Sequence, residues 1–137
     1  MREILFKAKR IDNGEWVEGY LVKYPSSKVE IFKECGEPPD ILLRCEVDPE
    51  TLCQCTGLKD KNGKRIWEND IVKYTNEITN KLCIDLIKYD ENQASFIRMH
   101  ESVMGSQYLS INKFVSKMAE VIGNIFDNPE LLEQDGG

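Results

Sequence analysis

Short runs of apolar and β-branched residues, separated by turn residues, account for most of the chain. This pattern is typical of strands in a protein with closely spaced reversals. The runs lie at 4–9, 16–24, 29–32, 41–47, 70–74, 81–89, 94–99 and 120–126. Apolar residues spaced three, four and seven apart over 110–118 predict one short amphipathic helix. The expected fold is therefore mainly β, a barrel or roll of short antiparallel strands with one or two short helices.

Two Asn-Gly pairs predict tight hairpins, because Asn and Gly both tolerate a positive φ. They are Asn13-Gly14 and Asn62-Gly63, and each is followed by a Trp and later by Val-Lys-Tyr, at 22–24 and 72–74. This similarity indicates either a degenerate internal duplication or two hairpins that obey the same turn rules. Gly19, in the middle of the second strand, predicts a bulge or a sharp bend.

The composition is that of a globular protein. The 137 residues suit one compact domain, or a domain with a small lobe, and 41% hydrophobic against 31% charged residues excludes a disordered chain. The sequence contains no apolar run near the roughly 20 residues that span a bilayer. The N-terminus is charged from its second residue, which argues against export and predicts a cytoplasmic protein without a membrane partner.

The chain is acidic overall, but its charged residues are unevenly distributed along the sequence. A formal net charge of −6 argues against broad, non-specific binding to nucleic acid, because phosphates are repelled by the summed field. The segment 56–75 is locally basic. Its cations are Lys59, Lys61, Lys64, Arg65 and Lys73. This segment forms either a local phosphate-binding face or an ordinary solvated hairpin.

The cysteines are expected to be buried thiols in a reducing compartment. They are Cys35, Cys45, Cys53, Cys55 and Cys83. Cys53 and Cys55 would share one face of a strand, and Cys35 or Cys45 could join them around a metal ion. However, this spacing is not that of a zinc knuckle, and the single histidine, His100, is predicted at the surface or a strand end. We therefore expect no metal and no cofactor.

Three segments together resemble the YopX family of phage and prophage proteins. They are 6–9 with 16–19, then 47–72, and finally 121–132. The chain departs from the family pattern at Ala8 and Asn69, where glycine is usual, and at Cys55, where a tyrosine is expected. Asn69 can still hold a positive-φ turn. The resemblance implies a mainly-β fold with an SH3-like barrel and a setting in a bacteriophage or prophage, but it supplies no activity and no catalytic residue.

The expected organisation is a single YopX-like domain over residues 1–133. Within it, an N-terminal β lobe at 1–47 could pack on an SH3-like barrel at 48–126, and 134–137 would form a flexible tail. Small β domains often cover their edge strands by association, so a homo-oligomer is one expected form.

The favoured function is that of a small binding module for a host or phage protein, or for a second copy of itself. Its candidate binding residues are Trp16, Tyr20, Lys59, Lys61, Lys64, Arg65, Lys73 and Tyr74. The alternative is a nucleic-acid module that uses the basic hairpin 59–74, because aromatic residues among cations can stack on bases. The competing explanation is that the aromatic side chains, above all Trp67, simply fill the core.

An enzyme is the less favoured possibility. Asp60, Glu68 and Asp70 are the candidate acids, but paired carboxylates need environments that separate their pKa values. Turn chemistry already explains Asp60. The sequence contains no nucleophile elbow, phosphate-binding glycine loop or metal-binding helix motif, so we expect no catalytic activity.

Overall fold

A computed structural model describes residues 4–35, 41–102 and 105–133. These residues form short antiparallel strands and one short α-helix, which confirms the mainly-β prediction. The elements are β1 (Phe6–Lys9), β2 (Trp16–Lys23), β3 (Val29–Cys35), β4 (Ile41–Glu46), β5 (Cys53–Lys59), β6 (Arg65–Trp67), β7 (Asp70–Thr75), β8 (Leu82–Asp90), β9 (Ser95–Ser102), β10 (Gly105–Ser110), α1 (Lys113–Met118) and β11 (Glu120–Asn124). Two 3₁₀ turns, Pro49–Thr51 and Pro129–Glu133, complete the set.

The chain divides into two compact units, Met1–Cys55 and Thr56–Gly137. In the first unit the strands lie in the order β4-β3-β2-β1, and the start of β5 pairs with β1. An apolar cluster packs on this sheet, and its buried members are Ala8, Val17, Val29, Ile31, Cys45 and Val47. The predicted lobes, 1–47 and 48–126, stay a prediction, and the predicted tail 134–137 lies outside the described residues.

The second unit contains a five-stranded antiparallel sheet in the order β10-β9-β8-β7-β11. The end of β5 pairs with the short β6 to form the predicted Asn-Gly hairpin, which precedes this sheet in the sequence. A second apolar cluster fills the unit, and its buried members are Ile66, Val72, Ile87 and Ala119. Trp67 is only 4% exposed, so the expectation that it belongs to the core is confirmed.

The predicted corners of the chain are confirmed by the backbone. Gly14 and Gly63 have φ values of 71° and 82°, and both stand where an antiparallel hairpin reverses. Asn69 has a φ of 72°, so it does hold the positive-φ turn expected at this departure from the family pattern. The two Val-Lys-Tyr triplets differ in place, however. The first triplet lies at the end of β2, which is itself the second strand of the Gly14 hairpin. The second triplet lies in β7, which follows the Gly63 hairpin after one more turn.

Several finer predictions need correction. Neither sheet closes on itself in the described residues, because each strand order has two separate ends, so the SH3-like barrel is not confirmed. The helix is shorter than 110–118, since Asn112 caps its start by accepting a hydrogen bond from the Val115 N–H. No strand is predicted at 105–110, where the structure has β10.

Four of the five cysteines, Cys45, Cys53, Cys55 and Cys83, are buried, as expected for thiols that pack as small apolar side chains. The side chain of Cys35 lies outside the described part of the chain. Within that part, no three metal-ligating side chains gather into a group. No helix there is long and apolar enough to cross a membrane.

Gly19 makes a close contact between strands rather than the predicted bulge. It pairs in regular register with Phe6 of β1, and Tyr20, the next residue, pairs with Phe32 of β3. A Cβ atom added at Gly19 would lie 2.2 Å from the backbone oxygen of Phe32. Glycine is therefore required here because two backbones approach closely.

We predict that Gly19→Ala destabilises the protein by about 3 kcal/mol or more, since backbone atoms must move apart to admit the methyl group. Gly14→Ala is the matched control. It meets open space but keeps a φ of 71°, so we expect a loss of about 1 kcal/mol. Urea unfolding of both variants measures the difference, and equal losses would contradict the close-contact explanation.

Candidate functional site

An open groove of about 520 Å³ lies on the second unit, beside β7 and the turn that follows it. Three of the predicted binding residues line it: Lys61, Lys73 and Tyr74. The other lining residues are Thr75, Glu77, Asn80, Leu82 and Met118. The groove thus combines two cations, one acid and a small apolar surface.

Asp60 fixes the hairpin turn that carries Lys61. Its Oδ1 accepts hydrogen bonds from the backbone N–H groups of Asn62 and Lys64, both at 2.9 Å, and its Oδ2 accepts one from Val121 at 3.0 Å. Burial alone would raise the pKa of Asp60, but these three N–H donors and the charge of Lys64 hold that pKa below its ordinary value. The Lys61 N–H donates to the Ala119 carbonyl oxygen at 2.9 Å, so the backbone of Lys61 is anchored directly.

Lys61 and Lys73 share one carboxylate. Glu120 Oε2 lies 3.8 Å from Lys61 Nζ and 3.5 Å from Lys73 Nζ. All three side chains are partly exposed, and ion pairs at such positions contribute only about 0–1 kcal/mol. These two ion pairs therefore hold Glu120 only weakly.

The turn after β7 presents an apolar side chain beside the groove. Asn76 Oδ1 accepts hydrogen bonds from the N–H groups of Ile78 and Thr79, at 2.9 and 3.3 Å, and the Asn76 N–H donates to Lys81. These bonds order the turn. Ile78 at its tip is nonetheless 95% exposed, and Leu82 just beyond it is also exposed.

A buried polar cluster holds Tyr74 in the wall of the groove. Asp85, which is fully buried, lies 2.8 Å from His100 Nδ1 through Oδ1 and 3.4 Å from Arg98 Nη1 through Oδ2. Arg98 Nη1 also donates to the Tyr74 hydroxyl at 2.6 Å, while Arg98 Nε donates to the Ser110 carbonyl oxygen at 3.1 Å. Burial and the charge of Asp85 raise the pKa of Tyr74 above its ordinary value, although Arg98 opposes the shift.

The remaining predicted binding residues do not line the groove. Lys59, Lys64 and Arg65 are exposed around the β5–β6 hairpin. Trp16 and Tyr20 belong to the first unit.

In that unit Trp16 is half-buried. Lys7 and Lys9 place their Nζ atoms 4.7 and 5.4 Å from the Trp16 ring centre, which is the geometry of cation–π contacts. Tyr20 is 46% exposed.

Asp60 and Asp70, two of the candidate catalytic acids, accept hydrogen bonds from the backbone of their turns. Asp60 organises its turn, as turn chemistry suggested, and the buried Asp70 accepts a hydrogen bond from the Trp67 N–H at 2.9 Å through Oδ2. The latter bond closes the tight turn between β6 and β7. Glu68 lies half-buried within that turn.

Sequence reasoning missed Asp85, Arg98 and Glu120, and it misplaced His100. The histidine lies within β9 and binds a buried carboxylate, rather than standing at the surface or at a strand end. One signal was available, because Asp85 interrupts the apolar run of 82–87. A charged residue in the middle of such a strand needs buried partners.

These observations define a small mainly-β protein with an open groove that carries two lysines. The chain belongs to the YopX family, since the family model described as "YopX protein" matches residues 5–133. Among solved structures it is similar to the crystal structure of protein EF1440 from Enterococcus faecalis, with 25% identity and a TM-score of 0.60. The match covers 96% of this chain and 99% of that one. No curated protein matches the sequence.

We predict that Asp85→Ala lowers the free energy of unfolding by about 3–5 kcal/mol, because it leaves Arg98 buried without its carboxylate. Glu91→Ala, which removes an exposed acid from the turn between β8 and β9, should cause little change. Chemical denaturation compares the two variants. If Asp85→Ala unfolds at the denaturant concentration of the wild type, the cluster does not stabilise the sheet.

A separate prediction concerns alkaline pH. Because the pKa of Tyr74 is raised in the folded state, the folded protein holds this proton more tightly than the unfolded chain does. Its contribution to stability is complete below the ordinary tyrosine pKa of about 10 and is lost as the pH rises beyond it. Tyr74→Phe should therefore flatten the fall in stability above that pH. Tyr20→Phe, at an exposed site, should keep the wild-type profile, and an unchanged slope in Tyr74→Phe would contradict the assignment.

Proposed function

We propose that this protein is a small binding module that receives an acidic segment of another protein, from the phage or from its host, in the groove beside β7. One observation carries the proposal. Lys61 and Lys73 converge on a single carboxylate, Glu120, beside an open groove with an apolar part. Glu120 thus occupies the place that a carboxylate of the partner would take.

The charge of the groove supports an acidic partner. The two lysines outnumber the one acid, Glu77, among the lining residues, although the whole chain carries a charge of −6. Two lysines that are held only by exposed ion pairs, on an otherwise acidic chain, favour one orientation of approach by an acidic partner and disfavour others. Such complementarity contributes to specificity and to the rate of association.

The apolar residues supply the other part of the surface. Leu82 and Met118 line the groove, and Ile78 projects from the ordered turn beside it. Arg98 Nη1 donates a hydrogen bond to the Tyr74 hydroxyl, which restricts this side chain before a partner binds. A preformed surface loses less entropy on association. The partner segment that best matches this groove is acidic and contains at least one apolar side chain.

The proposal also includes the biological role and the cellular location of the protein. Family membership favours a phage or prophage accessory role in the cytoplasm of the bacterial host. The backbone bonds of Asp60 and Asp70 support structural roles for these acids and favour binding over catalysis, without a cofactor. An SH3-like arrangement of residues 48–126 stays part of this proposal.

Nucleic acid is the second candidate. The observation that favours it is the exposure of Lys59, Lys64 and Arg65 around the β5–β6 hairpin. These cations could bind phosphates without using the groove. The overall charge of −6 opposes this mode of binding.

We predict that affinity capture from a bacterial lysate retains a protein partner, and that Lys61→Glu combined with Lys73→Glu abolishes its retention. Glu120→Gln should strengthen retention, since it removes the internal competitor for both lysines while keeping nearly the same shape. The captured amount is measured by quantitative mass spectrometry at low and at high salt.

The matched control is Lys59→Glu combined with Lys64→Glu, which makes the same charge change outside the groove. Equal loss of the partner in both double variants would overturn the groove as its site. A gel shift of single- and double-stranded DNA at low salt tests the alternative. DNA binding that disappears in the Lys59/Lys64 variant alone would favour the hairpin and a nucleic-acid ligand.

A further inference from the structure

Strand β10 forms one end of the five-stranded sheet. It pairs with β9 through six consecutive residue pairs, from Gly105 with Ser102 to Ser110 with Ile97, without any shift in register. Its sequence, Gly-Ser-Gln-Tyr-Leu-Ser, contains no charged residue and no proline. Gln107 and Tyr108 are exposed, and Tyr108 is 62% exposed despite its size.

Edge strands are normally protected against pairing with other chains by charges, prolines, bulges or short length. The opposite edge of this sheet, β11, carries Glu120 and a register shift between Val121 and Gly123. In the first unit, the edge strand β4 carries Arg44 and Glu46. Strand β10 has none of these features, so its outer side is suited to the addition of another strand.

We propose that β10 pairs antiparallel with β10 of a second copy of this chain, with Tyr108 on the two-fold axis. One pair of matching residues supports this centre, because Ser106 and Ser110 stand two positions to either side of Tyr108. Centring the pair on Tyr108 places it opposite the partner's Tyr108 and places each Ser106 opposite the partner's Ser110. Cross-strand aromatic pairs stabilise antiparallel sheets.

A second copy fits this edge better than an unrelated segment does. A two-fold axis normal to the sheet keeps each face of β10 on the same face of its partner, so the strand is complementary to itself. No like charges are brought opposite each other within the strand. The strand offers no charge to select a foreign acidic or basic peptide.

This inference is independent of the proposed groove. The strand order places β10 at one edge of the sheet, with β9 and β8 between it and β7, which carries Lys73 and Tyr74. A failure of either proposal therefore leaves the other untouched.

The first test is sedimentation velocity of the full chain from low micromolar to several hundred micromolar concentration. We expect a reversible monomer–dimer equilibrium that tightens as salt screens the repulsion between two copies of charge −6. Tyr108→Lys should weaken the dimer at least tenfold, because it places like charges opposite each other. Tyr20→Lys, the same change at an exposed tyrosine of the first unit, should leave the dimer intact.

The second test fixes the register. In a Cys35→Ser background, Tyr108→Cys should form an intermolecular disulfide under mild oxidation, because residues directly opposite in an antiparallel pair are about 4.5–5.5 Å apart at Cα. Gln107→Cys should not, since its opposite residue is the partner's Leu109. A monomer at every concentration, or equal cross-linking of both variants, would overturn the proposal.

Discussion

A buried carboxylate needs hydrogen-bond donors, and Asp85 takes them from the neighbouring strand β9, which in turn links it to β7. His100 and Arg98 approach from β9, and Arg98 also binds the hydroxyl of Tyr74 on β7. These contacts require the three strands to lie in one register, because a shift by one residue would turn each side chain to the other face of the sheet. The position of Tyr74 in the groove, and the alignment of β9 that supports β10, both depend on this cluster.

The turns of this protein could be predicted because their cause is local. Asn-Gly pairs and Asn69 adopt positive φ at a cost set by their own chemistry, and the structure shows them at the expected corners. Gly19 shows the opposite case. Its reason lies in the backbone of Phe32, thirteen residues further along the chain, and no pattern around Gly19 distinguishes a close approach from a bulge.

The candidate site was only partly predictable for a related reason. The basic segment supplied Lys61, Lys73 and Tyr74, because they lie close together in sequence. Glu120 and Met118 come from much later in the chain and reach the groove only through the pairing of β11 with β7. His100 was misplaced because its partner, Asp85, was read as one residue of an apolar strand rather than as a buried charge.

Asp60 makes both a local contact, within its own turn, and a long-range contact, with β11. One of its oxygens forms the hairpin turn, which sequence explains, whereas the other accepts the Val121 N–H, sixty-one residues away. The same carboxylate therefore shapes the loop and fastens it to β11, so that Lys61 lies beside Glu120 at the next position along that strand. The groove consequently depends on how the hairpin is joined to the edge strand β11. A chain that kept the hairpin but lost the acid at position 60 would keep its basic residues and lose the side-chain bond that joins their turn to β11.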